Sequence, residues 1–177
     1  FYKYGGSTDI NSGTGKISIS GYSQSLANTT AVGFYVEGGT NHYFTSANTS
    51  SDAISIIGDS SVTTSTTSEG IILRNASGHF EFVATGVGGG VTLSAVGGDN
   101  DDTVIMFNDS LYVLANGGAI VIEAEADNAS ARLYGDAGGL LTLGYTDSAN
   151  TNYDVTSSDS NISFTSSGSI IFEGLIT

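Results

Sequence analysis

The sequence predicts an all-β protein, a right-handed parallel β-helix with rungs of roughly twenty residues, and three observations carry that expectation. Apolar residues recur in alternations of strand length and never in stretches of helix length. There are 25 Gly and no Pro among 177 residues, which fits tight repeated glycine corners better than irregular loops, since loops use both. The strands also recur at a near-constant interval.

The elements follow one another along the chain in the same form, an apolar alternation closed by Gly, Asn or Asp. The first are Lys16-Ile17-Ser18-Ile19-Ser20-Gly21 and Ala53-Ile54-Ser55-Ile56-Ile57-Gly58. Gly70 to Asn75, His79 to Val83 and Gly90 to Ser94 repeat the pattern, as do Thr103 to Phe107, Leu111 to Leu114 and Ala119 to Ala124. Ala131 to Tyr134, Leu140 to Leu143, Ile162 to Phe164 and Ser169 to Phe172 complete the series. Taking alternate members, Ile54, Ile71, Val91, Leu111, Leu133 and Val155 form one set, and Tyr43, Val62, Phe80, Ile120, Leu141 and Ile162 a second. Each set steps by roughly twenty residues, an interval at which stacked repeats bury their inward side chains only against neighbours. An antiparallel β-sandwich is the alternative, because strands every 8–12 residues with turn signals between them are also its signature. The whole of residues 1–177 reads as one domain, with residues 1–15, aromatic and then Gly/Ser-rich, as a cap or docking arm.

Composition narrows the function classes. A hydrophobic fraction of 39% suffices for a core, while only 12% of residues are charged, so Ser, Thr, Asn and Gly supply the polar surface. A formal charge of −14, from four Lys+Arg against eighteen Asp+Glu, argues against nucleic acid and anionic lipid, which need a basic footprint. The same field attracts cations, and calcium is the cofactor it favours. There is no Cys, hence no disulfide framework and no thiol chemistry, as in many large secreted surface proteins. No apolar run reaches the ~20 residues that span a bilayer, so membrane insertion is not expected. The chain starts at Phe1 rather than Met, and a processed product or a segment of a longer exported chain is expected.

The stretch from residue 15 to 98, with Gly15-Lys16-Ile17-Ser18-Ile19-Ser20-Gly21-Tyr22-Ser23, Gly33-Phe34-Tyr35-Val36 and Ala53 to Ser60, resembles the β-helical repeats of filamentous-haemagglutinin-like adhesins. The second half is also similar to stretches of phage tail fibres. The adhesin resemblance implies a secreted fibre that projects from the cell surface and presents a binding face, and neither family donates a catalytic residue.

Several motifs bear on chemistry. Gly97-Gly98-Asp99-Asn100-Asp101-Asp102 resembles the calcium-binding turn of parallel β-rolls, which makes Asp99, Asp101 and Asp102 the candidate metal ligands. That site type shares each ion between successive turns, and no second copy occurs, so a solvated acidic turn is the competing reading. Sequons begin at Asn28, Asn48, Asn75, Asn108, Asn128 and Asn161, in expected turns where a glycan would reach solvent. His42 and His79 stand at strand starts without a nucleophile motif, and no Gly-x-Ser-x-Gly elbow occurs. Glu123, Glu125 and Asp127 fall on one strand face. They read as an outward acidic stripe, and a glycan-cleaving β-helix using Asp101, Asp102 or Glu123 is the enzyme alternative. Thr63, Thr64, Thr66 and Thr67 crowd a single rung, too few for an ice-binding array. Tyr2, Tyr4, Tyr22, Tyr35, Tyr145 and Tyr153 are of a type that stacks on sugar rings.

The reading that follows is a non-enzymatic extracellular, cell-surface fibre module whose partners are further copies of itself or a glycan on a host or neighbouring cell. The C-terminal stretch keeps Ile170, Ile171, Phe172, Leu175 and Ile176 apolar, where a solenoid end normally turns polar. Those residues are the candidate joint of a filament assembled by strand addition.

Overall fold

The computed structural model describes residues 1–23, 31–61, 68–74, 78–97, 103–107, 110–126, 132–135, 140–147, 150–154, 162–166 and 175–176. Among them the protein is all-β, with no helix. The strands are β1 (Tyr2–Tyr4), β2 (Thr8–Asn11), β3 (Ile17–Tyr22), β4 (Ala31–Glu37), β5 (Asn41–Ser46), β6 (Ile54–Asp59), β7 (Ser68–Arg74) and β8 (His79–Gly97). They continue as β9 (Thr103–Phe107), β10 (Ser110–Ala126), β11 (Arg132–Gly135), β12 (Leu140–Asp147), β13 (Asn150–Asp154), β14 (Ile162–Ser166) and β15 (Leu175–Ile176).

Pairing among the described residues is parallel throughout except for β12 with β13. The antiparallel sandwich is therefore corrected. One sheet runs β1-β4-β7-β9-β11. In the other, the first half of β8 pairs with β5 and its second half with β6, so the sheet curls at the glycine-rich Gly86–Gly90 stretch within β8. The long strand β10 does the same, pairing with β12 along its first half and with β14 along its second.

The interval of about twenty residues is also corrected. Ile17 faces Ile54 and Ile54 faces Val91, a step of 37 each time, and the same step joins Phe34 to Ile71. Ile54 and Ile71, successive members of one predicted set, lie in different sheets. The two sets mixed three strand series, because short apolar alternations look alike whichever series they belong to.

In-register parallel pairing puts like side chains over one another. Ile10, Phe44, Phe82 and Val113 form one column, Ile17, Ile54, Val91 and Ile120 another, and Ile19, Ile56, Leu93 and Ile122 a third. Stacked rings stand at the strand spacing itself, 4.7 Å between the centroids of Phe44 and Phe82 and 4.9 Å between Phe1 and Phe34, as expected when equal register positions sit ~4.8 Å apart. Phe34 and Val36 of β4, Phe44 of β5, Ile54 and Ile56 of β6, and their partners in β7, β8 and β10 all turn onto one apolar core.

Glycine sets how closely the two sheets approach. A β-carbon on Gly21 would stand 1.8 Å from the Gly33 carbonyl oxygen, and one on Gly33 would stand 2.1 Å from the Asp59 amide nitrogen. The column continues from Gly21 through Gly58 to Ala95 and Ala124.

Candidate functional site

The strands β4 and β7 are covered on both faces, as parallel strands commonly are. Phe34, Val36, Ile71 and Leu73 point into the main core. From the opposite face Tyr35 and Ile72 form a second, small apolar cluster with Val32. Register explains the arrangement, since Tyr2 pairs with Tyr35 and Tyr35 with Ile72. Tyr2 and Tyr35 stack with ring centroids 4.8 Å apart and planes 2° from parallel.

On this second face a cleft of about 460 Å³ opens over Val32, Tyr35 and Ile72, with Ser23, Glu69 and Arg74 as polar lining and Tyr2 at its mouth. Tyr35 is 8% exposed and Glu69 6%, whereas Tyr2 is 70% exposed. The Tyr35 hydroxyl donates a hydrogen bond to Glu37 Oε2. Burial, and then the Glu37 carboxylate, push the phenol up to about 12, with Arg74 pulling the other way. The cleft thus joins an aromatic wall to a carboxylate and a guanidinium, a chemistry suited to holding a small amphipathic guest.

The expected site residues are scattered or lie beyond view. Asp99, Asp101 and Asp102 lie outside the described residues, as do Asn28, Asn75, Asn108, Asn128, Asn161, Asp127, Ile170, Ile171 and Phe172. Among the described residues no group of three or more His, Cys, Asp or Glu is placed to hold a metal ion. Asn48 is half-buried and anchors a turn: its Nδ2 donates to the Thr14 carbonyl at 2.7 Å, and its Oδ1 accepts the Ser50 amide at 2.9 Å. Leu175 and Ile176 extend the chain's own sheet, pairing with Leu140 and Leu141 of β12.

Neither histidine stands in a catalytic arrangement. His42 is buried, stacked on Phe80 with centroids 4.7 Å apart. Its Nε2 lies 2.7 Å from the Gly38 carbonyl oxygen, which can only accept, so Nε2 carries a proton. His79 is half-buried edge-on between Tyr43 and Tyr112, with Nε2 2.9 Å from Glu81 Oε1. Glu123 faces Ser94 on one side and Thr165 on the other, so no carboxylate flanks it in register.

Of the tyrosines singled out from sequence, Tyr2 and Tyr35 meet, while Tyr4 and Tyr22 stand exposed away from the cleft. Glu69 and Arg74 were not expected to take part. The usable signal was their position in β7, at the same register as Val32 and Glu37 of β4.

Compared with known protein families, characterised proteins and solved structures, the chain matches none.

Proposed function

We propose that this chain is a non-enzymatic structural and adhesive fibre module displayed outside the cell, built as a right-handed parallel β-solenoid whose turns stack along one axis. The register of the strand series is the observation that supports it. Residue 17 lies against 54 and 54 against 91, while 34 lies against 71 and 71 against 105. Successive passes of the chain are thereby laid over one another, which is how a solenoid propagates. A hydroxyl- and amide-rich composition without Cys agrees with an extracellular surface location. Calcium at Asp99, Asp101 and Asp102 belongs to the same reading, as a clamp on one turn.

A second reading is a filament subunit joined by strand addition. It is favoured by the opening strands: β1, β2 and β3 each have a partner on one side only, and Phe1, Tyr2, Tyr4 and Tyr22 are exposed there. Such edges invite pairing with another strand.

Negative-stain electron microscopy of the purified chain, at several concentrations and with or without calcium, tests both. Isolated short rods support a fibre module and count against self-assembly. Long filaments of uniform width support the subunit reading, and loss of filaments on truncation after Gly168 places the joint in the terminal strand. Compact round particles with no long axis would sink both readings.

A further inference from the structure

The cleft on the outer face of β4 and β7 has no role in holding strands in register, yet it gathers the best-formed mixed apolar and polar lining among the described residues. Its floor is Tyr35, Val32 and Ile72, its rim Glu69, Arg74 and Ser23, and Tyr2 lies stacked on Tyr35 at the mouth. A cavity of about 460 Å³ is in the ordinary range for small-molecule sites, which are mainly apolar with a few fixed polar groups.

We infer that this cleft binds a neutral sugar residue. A pyranose ring has an apolar C–H face and a rim of hydroxyls. The exposed Tyr2 and the tyrosine beneath it provide the aromatic surface for the first. Glu69 accepts hydrogen bonds from hydroxyls, Arg74 donates them, and Ser23 does either.

Other guests fit less well. An apolar molecule would take water away from Glu69 and Arg74 and return no hydrogen bond. An anion enters against a formal charge of −14 and past the Glu37 and Glu69 carboxylates. A cation would be set against the Arg74 guanidinium on the wall. The inference rests on the adhesive part of the function proposed above and gives it a ligand class.

Saturation-transfer NMR and calorimetry on the intact chain provide the test, using the methyl glycosides of glucose, galactose, mannose and N-acetylglucosamine. Glucuronate and tetramethylammonium serve as the anionic and cationic probes. At least one neutral glycoside binds in the millimolar range. Tyr2→Ala, at an exposed position, weakens it about tenfold, the worth of one aromatic contact. Tyr4→Ala, 72% exposed and outside the cleft, leaves it unchanged.

Absence of binding by all four neutral glycosides at tens of millimolar overturns the inference. So does equal binding by the Tyr2→Ala variant, or tighter binding of glucuronate or tetramethylammonium. Electron microscopy on the same sample keeps the two proposals apart. Rods without sugar binding remove the cleft's ligand and leave the fibre standing, whereas sugar binding without rods removes the fibre and leaves the cleft.

Discussion

Gly58 of β6 faces Gly70 of β7 so closely that a β-carbon on Gly58 would stand 2.0 Å from the Gly70 carbonyl oxygen. The obstacle is backbone, which cannot swing aside as a flexible side chain can. This seam, continued by Gly21 against Gly33, lets the strands of the two sheets pass at their closest approach.

Gly58→Ala should therefore cost about 3 kcal/mol or more, at or beyond the upper end of ordinary overpacking. Gly13→Ala is the contrasting change: its β-carbon meets nothing within 4 Å, and only the positive φ of 57° opposes it, at a cost of roughly 1–2 kcal/mol. Chemical denaturation of the two variants checks the order. Equal losses would mean that the seam is looser than described.

The column Ile10, Phe44, Phe82 and Val113 is held by ring stacking at 4.7 Å. Phe82 is fully buried, so Phe82→Ala should cost about 3–5 kcal/mol. Phe82→Leu keeps most of the volume and should cost clearly less, roughly 1.5 kcal/mol. Urea midpoints of both variants give the comparison, and a Leu variant as unstable as the Ala variant would show that ring geometry outweighs volume.

Tyr35 links stability to alkaline pH. Its phenol is pushed up to about 12 in the folded chain, against about 10 when unfolded. Between those values the unfolded state has released the proton while the folded state still holds it, so rising pH favours unfolding. The stabilisation is complete below about pH 10 and disappears as pH climbs through about 12, a loss of roughly 2–3 kcal/mol at most. Stability measured from pH 9 to 12 should fall more steeply in the native chain than in Tyr35→Phe, and parallel curves would count against the assignment.

Local pattern was legible where it repeats within a few residues. The alternations around Ile17, Ile54, Val91 and Ile120 announced strands because period two is a property of neighbours in the chain. Partner choice was not legible in the same way. Ile54 and Ile71 look equivalent in sequence, and only the register shows that one pairs with Val91 and the other with Ile105. Similarly, Tyr2 and Tyr35 were recognisable as tyrosines able to stack on sugars, but their mutual stacking depends on the step between β1 and β4.

By itself the sequence determined an all-β chain, strongly acidic, free of Pro and Cys, with short strands closed by glycine, because these follow from composition and from nearest neighbours. Tertiary structure alone decided that the strands run parallel, that the usual partner lies some thirty to forty residues onward, and that Glu69 and Arg74 share a cleft with two stacked tyrosines. The reason is physical: hydrogen bonding between strands and the burial of a shared core select among many locally equivalent segments, and that selection depends on contacts between residues far apart in the chain.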